Sequence, residues 1–166
     1  PNNPADGPRP TLEIYRPFTP ARSHDATIVI LPGGGYSMLS PFEKLFGDYF
    51  RSLGYTAVVV NYRVKPHAYP AAYADAQRAL RLVRARADEW KIPGKRVALY
   101  GGSAGGHLAA FVATRPDFHR DPGDDLAGKI SARPDRLIPP SATRFPRSCT
   151  SPRTRLPSSS STPPTT

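Results

Sequence analysis

VALYGGSAGGHLA, residues 97 to 109, decides how the rest of the chain is read. Residues 96–100 (RVALY) read as a short strand of the kind buried on both faces of a sheet. Glycine ends the run, Ser103 stands between small residues, and a helical pattern starts at Ala104. The frame Gly101-Gly102-Ser103-Ala104-Gly105 fits G-x-S-x-G, a sharp strand-to-helix corner that lifts a serine hydroxyl into the open. Small flanking residues let the strand and the helix pack closely. The helix points the positive end of its dipole at Ser103, which favours developing negative charge. Glycine and serine are common in turns, so this frame alone also fits a phosphate cradle. A Walker loop needs Gly-Lys-Ser/Thr, and the stretch has no lysine. A dinucleotide fingerprint needs G-x-G-x-x-G after the first strand, and here the position and the glycine spacing are wrong.

Outward from that corner, buried strands alternate with amphipathic helices. Residues 11–16 (TLEIYR) alternate as a strand does, and 26–31 (ATIVIL) and 56–61 (TAVVVN) are β-branched runs. Residues 41–53 carry an apolar stripe at Phe42, Leu45, Phe46, Tyr49, Phe50 and Leu53, stopped by Gly54. Residues 69–90 predict one long helix, opened by Pro70, with Tyr73, Ala76, Leu80, Val83 and Ala87 on one face. Residues 104–113 predict the last helix. This order is that of βαβ units: a mostly parallel sheet with helices on both faces.

LPGGGY, residues 31–36, follows an earlier buried strand. Acyl transfer passes through a tetrahedral oxyanion that needs N–H donors about 3 Å away. Glycines let the backbone come that close, so Gly34, Gly35 and Ala104 are the candidate donors. Taken alone, the loop also fits a tight turn. The pairing of the two motifs, each after a buried strand, joins them into one site. Tyr36 either lines the acyl or alcohol side of that site or is a packing tyrosine.

LPGGGY, then NYRV (61–64) with YPAAYADAQRALRLVRARADEW (69–90), then GGSAGGHLAA (101–110) resemble the esterase/lipase α/β-hydrolases. The nearest branch is acetyl-xylan-esterase-like and feruloyl-esterase-like, close to the hormone-sensitive-lipase-like enzymes. The resemblance spans roughly residues 12–136, and Leu31 stands where that family usually has histidine. It implies an incomplete α/β-hydrolase fold and hydrolysis of carboxylic esters through an acyl-serine on Ser103. The implied substrates are small acyl esters, acetylated carbohydrate among them. No metal or cofactor is implied. Asp75 and Arg78 match family positions and read as structural.

The family's chain order is Ser, then Asp or Glu, then His. This chain has four histidines, His24, His67, His107 and His119, and none comes late enough. His107 stands where the family has a histidine packed under the corner, and His119 reads as surface loop. Asp117, Asp121, Asp124, Asp125 and Asp135 lack calcium-loop spacing and read as a solvated loop. Without acid and base, Ser103 is an unactivated hydroxyl, and these 166 residues are expected to show little or no turnover. A non-catalytic binding protein or pseudogene product using the PGGG loop and the corner as an anion pocket is the alternative.

Residues 1–10 read as a loose lead-in, 11–136 as the N-terminal part of the hydrolase domain, and 137–166 as a disordered tail. Of the last 30 residues, 20 are Pro, Ser or Thr, too polar a mixture to offset chain entropy by burial. Shifted forward by two bases, the codons of LPSSSSTPPTT (156–166) permit four apolar residues, a polar step, two small residues and two acids. That order is similar to the family's strand and turn carrying the catalytic aspartate. The expectation is a reading frame lost between about residues 138 and 154.

The formal charge is +10, but residues 1–136 hold 19 Lys/Arg against 13 Asp/Glu, and the tail adds four arginines. With no aromatic-interleaved basic stripe, a solvated basic surface is expected rather than a nucleic-acid partner. Cys149 is the only cysteine, which leaves no disulfide framework and no zinc pattern. No apolar run approaches a membrane span. The partner expected is a small-molecule ester. Compartment, cytoplasmic or secreted, and oligomeric state stay open.

Overall fold

The computed structural model describes residues 9–120 and 129–139 of the 166. Strands β1 (Thr11–Tyr15), β2 (Thr27–Leu31), β3 (Thr56–Asn61), β4 (Val97–Gly101) and β5 (Arg136–Ile138) make one sheet in the order β1-β3-β2-β4-β5. The pairs β2–β3, β2–β4 and β4–β5 are parallel, and β1 runs antiparallel along the outer edge of β3. The helices are α1 (Phe42–Ser52), α2 (Ala71–Ala85), α3 (Ala87–Trp90) and α4 (Ala104–Thr114).

Every residue of β2 is buried, which is why it reads as an unbroken apolar run. Ile28 and Ile30 face the same side as Ala57, Val59 and Tyr100, where Phe46, Tyr49 and Phe50 of α1 pack. Val29 and Leu31 face the other side with Val58, Val60 and Leu99, against Leu80 and Val83 of α2 and Leu108 and Val112 of α4. Right-handed crossovers dictate these sides. The step from β2 to β3 moves one way along the sheet, and those from β3 to β4 and from β4 to β5 move the other way. Their helices therefore land on opposite faces. The chain leaving β2 and the chain leaving β4 diverge, although the two strands are neighbours. A crevice opens between their carboxyl ends, where open α/β sheets place their ligands. The PGGG loop leaves β2 there, and Ser103 leaves β4.

The structure corrects the sequence reading in three places. The long helix expected over 69–90 is two, α2 and α3, separated at Arg86 (φ −106°, ψ 11°). Arg86 N–H still donates to Leu82 O at 2.8 Å and Trp90 N–H to Arg86 O at 2.8 Å. The apolar face therefore continues across the break, with Ala87 buried behind Val83, and periodicity alone does not reveal it.

The tail expected from 137 onward does not begin there, because Leu137 and Ile138 belong to β5 and pair with Leu99 and Tyr100. Asp135, grouped with a solvated loop, instead fastens that strand. Its Oδ2 accepts from Val97 N–H at 2.7 Å and from Arg84 Nη2 at 2.9 Å, while its own N–H donates to Val97 O at 2.8 Å. Burial raises the Asp135 carboxyl, but the Val97 N–H and then Arg84 outweigh it, so it sits below its ordinary 3.8. A depressed carboxyl contributes stability above its unfolded value and loses it as the pH falls through the folded one. Asp135→Ala is expected to lower stability by about 1 kcal/mol near neutrality. The gap from wild type should narrow as the pH falls through the lowered folded-state value, as read by urea midpoints from neutral to acid pH. Residues 140–166, with the frame argument, and Asp121, Asp124 and Asp125 lie outside the described residues.

Candidate active site

Ser103 closes β4 and opens α4 with φ 50° and ψ −121°, a backbone that a serine adopts at a cost of about 1–3 kcal/mol. The surrounding structure holds it there. A Cβ on Gly101 would sit on the Gly105 carbonyl, with Gly106 N at 2.8 Å. A Cβ on Gly105 would sit on the Leu31 carbonyl, with Pro32 O at 2.6 Å. The two glycines are thus required by the approach of α4 to β4 and to the end of β2. The Ser103 side chain is exposed and makes no hydrogen bond to any described residue.

The PGGG loop folds beside that corner. Gly34 (φ +119°), Gly35 (φ +62°) and Tyr36 (φ 60°) all have positive φ. The Gly34 carbonyl accepts from Ser37 N–H at 3.1 Å and from Met38 N–H at 3.3 Å, and Gly33 O accepts from Ser40 N–H at 3.0 Å. The turn thus uses its carbonyls internally. The N–H groups of Gly34, Gly35 and Ala104 donate to no acceptor among the described residues. Leu31, in the family's histidine position, is buried core and does not brace the loop. Bracing comes from the Tyr62 hydroxyl, which donates to Pro32 O, and from Lys65 N–H, which donates to Tyr36 O at 2.9 Å.

Tyr36 ties the loop to the corner. Its hydroxyl donates to Ala104 O at 3.1 Å and lies 2.8 Å from His107 Nδ1. A phenol carries one proton. With it given to Ala104, the oxygen accepts from Nδ1–H, and both contacts are satisfied. Burial first, and then the neighbouring Tyr73 hydroxyl, push the Tyr36 phenol above its ordinary value, so it remains a neutral donor.

None of the four histidine side chains is hydrogen-bonded to the Ser103 hydroxyl; His107 meets Ser103 only through its backbone N–H, which donates to Ser103 O at 3.0 Å. His107 is on Tyr36, and His24 stacks on Tyr55 at 4.3 Å. His67 lines a groove beyond β3, and His119 donates its backbone N–H to Gln77 Oε1 at 2.8 Å. Asp75 on α2 takes Arg63: Nη2 donates at 2.7 Å, Nε at 2.9 Å and the Arg63 backbone N–H at 2.9 Å. The resemblance marked Asp75 as structural, and here it fixes the exit of β3. Arg78 is half-buried.

A groove of about 780 Å³ is walled by Tyr36, Arg63, Lys65, His67, Tyr69 and Tyr73, with smaller apolar neighbours. Ser103 is not part of its wall; Tyr36 is the residue common to the groove and the corner. The sequence reading assigned only Tyr36 of these to the site. The signal for the others was the pair of tyrosines in YPAAY, placed just before and inside the first turn of α2. Among the described residues, no cluster of three or more His, Cys, Asp or Glu is placed to hold a metal. No described helix is long and apolar enough to cross a membrane.

Residues 12–132 match the BD-FAE family. An acetylxylan esterase of Xylanibacter ruminicola is 36% identical over 109 residues, 61% of this chain and 23% of that protein. The acetyl ester-xyloside bifunctional hydrolase from Caldicellulosiruptor lactoaceticus superposes with a TM-score of 0.73 at 36% identity, over 83% of this chain and 50% of that one. A thermophilic esterase from Thermogutta terrifontis, propionate-bound, gives 0.64 at 33% identity, over 78% and 48%. The chain thus spans about half the length of these solved esterases and about a quarter of the curated relative. With both glycine motifs inside the matched segment, the chain belongs to the BD-FAE family of α/β-hydrolase esterases.

Proposed function

We propose that this chain carries the nucleophile and the oxyanion loop of a serine carboxylic-ester hydrolase for small acyl esters, acetylated carbohydrate included. The observation that carries the reading is the exposed Ser103 hydroxyl on a positive-φ corner, beside three N–H groups that no described acceptor takes. Ser103 is the nucleophile. Gly34, Gly35 and Ala104 stabilise the oxyanion, and Tyr36 holds the oxyanion loop against the corner. The relatives named for acetylxylan and acetyl ester-xyloside hydrolysis support the substrate class. Among the described residues no histidine side chain or carboxylate is hydrogen-bonded to the hydroxyl, so the 166 residues by themselves are expected to turn esters over slowly. What remains is the contribution of the oxyanion site, of the order of 10³-fold over water in enzymes stripped of their triad.

The test is covalent. The chain is incubated with a fluorophosphonate, with and without added imidazole as an external base, and the adduct is mapped by mass spectrometry. One adduct on Ser103, formed faster with imidazole and absent in Ser103→Ala, is the expected result. Labelling at other residues only, or equal labelling in Ser103→Ala, would overturn the reading and leave the anion-pocket alternative. Steady-state hydrolysis of p-nitrophenyl acetate should be nearly the same for wild type and Ser103→Ala; a clear Ser103-dependent turnover would show that a base is present after all.

A further inference from the structure

We propose that the groove leading away from Tyr36 is a saccharide subsite, with the Tyr69 ring as the platform on which a pyranose of the carbohydrate ester rests. The inference takes its ligand class from the esterase reading and adds the place and the residue. Residues 63–69 follow β3, so the groove opens on the same carboxyl-end side of the sheet as the loop and the corner. Tyr69 is 66% exposed, although it is a large aromatic and belongs to the groove wall. Its orientation is nonetheless fixed. Tyr73 meets it edge-on at 5.2 Å, and Phe118, itself 41% exposed, lies at 6.1 Å. An aromatic ring held rigid by its neighbours with its surface in water is a binding surface prepared in advance.

The shape of the surface selects the ligand. A flat aromatic group calls for a slot with two facing walls. The pair that runs nearly parallel, Tyr36 and Tyr73 at 18°, already stacks at 6.0 Å and leaves no slot. Tyr69 offers an exposed surface on an otherwise open groove. A pyranose chair matches it, because one side of the ring is a layer of C–H bonds and the hydroxyls point outward at the rim. The exposed Lys65 ammonium and the tyrosine hydroxyls of the wall supply hydrogen bonds there. With the sugar on Tyr69, the Tyr36 end of the groove directs an acyl substituent toward Ala104 and the neighbouring Ser103.

The experiment is an NMR titration of the full chain with O-acetylated xylotriose, a neutral probe to which the chain's positive charge adds nothing. Shifts confined to the groove residues are expected. Tyr69→Ala should weaken binding by about fivefold or more, and Tyr69→Trp should keep it. Both variants change a mostly exposed side chain, and the amide spectrum reports whether each is folded. Unchanged affinity in Tyr69→Ala, no shifts at the solubility limit of the trisaccharide, or equal occupancy of the groove by neutral methyl benzoate would each overturn the subsite. The Ser103 adduct keeps the two readings apart. Labelling without Tyr69-dependent sugar binding removes the subsite and leaves the esterase. Sugar binding without labelling removes the esterase and leaves the subsite.

Discussion

Gly105→Ala is expected to abolish the native fold, although alanine is the better helix former by about 1 kcal/mol. The added methyl would meet the carbonyl of Leu31, and Pro32 O at 2.6 Å, both of them backbone atoms at the end of the central strand. No side-chain rotation relieves that contact. Either α4 lifts from the sheet, or β2 gives up its register with β3 and β4. Lifting α4 would expose Leu108 and Val112, now completely buried, whose removal from water is worth about 1.5–3 kcal/mol each. The overlap costs more than the ~1–3 kcal/mol typical of overpacking, because that range includes relaxation by side chains. A domain with about 5–15 kcal/mol in total is left marginal or unfolded. Gly106→Ala is the control. Its methyl would lie 3.0 Å from Gly101 O, a contact that a small shift relieves, so loss of about 1 kcal/mol or less is expected. Thermal melts followed by circular dichroism separate the two. A cooperative melt for Gly105→Ala within a few degrees of wild type would mean that α4 sits farther from β2 than described.

That pair of glycines also marks how far the sequence could be read. Close packing at the corner was legible, because G-x-S-x-G after a buried run implies it. The partner in the packing was not legible. The atoms that exclude a side chain at 105 belong to Leu31 and Pro32, more than seventy positions away. The candidate nucleophile and oxyanion loop are therefore one packed unit, which the sequence presents as two separate motifs. β2, β3 and β4 were read within a residue of their ends, since strands buried on both faces leave a continuous signal. β5 escaped because three residues carry no periodicity, and the prolines that follow dominate any composition window around them. The Asp135 clasp and the Tyr36–His107 contact were invisible for another reason. Each joins residues far apart in the chain through side-chain atoms, and neither position carries a local pattern. The candidate donors at Gly34, Gly35 and Ala104 were nameable from glycine chemistry. The groove beside them was not, because it is made of side chains from the exits of β2 and β3 and the first turn of α2 that meet only in the fold.

Asp75→Ala is expected to have the other large effect, about 2–3 kcal/mol of stability, and to loosen the oxyanion loop from a distance. The Asp75 side chain is 4% exposed and that of Arg63 33%. Its carboxylate accepts from two nitrogens of the guanidinium and from the Arg63 backbone N–H. Removing the acid takes away the acceptor that the guanidinium fork and the Arg63 backbone N–H share. Water reaches the part-exposed guanidinium, which keeps the cost below the ~3–5 kcal/mol of a completely buried pair. The consequence travels along the β3 exit. Arg63 lies between Tyr62, whose hydroxyl holds Pro32 O, and Lys65, whose N–H holds Tyr36 O at 2.9 Å. Both contacts brace the PGGG loop, so freeing Arg63 frees the loop that carries Gly34 and Gly35. A double-mutant cycle with Arg63→Ala, read by urea unfolding, should give a coupling energy above about 1 kcal/mol. The same variants should slow fluorophosphonate labelling of Ser103 while the folded fraction stays high, because the loop moves before the domain unfolds. Strict additivity of the two substitutions, or labelling at the wild-type rate, would mean that Asp75 and Arg63 form an ordinary surface pair and that the loop is held by Tyr62 and Tyr36 alone.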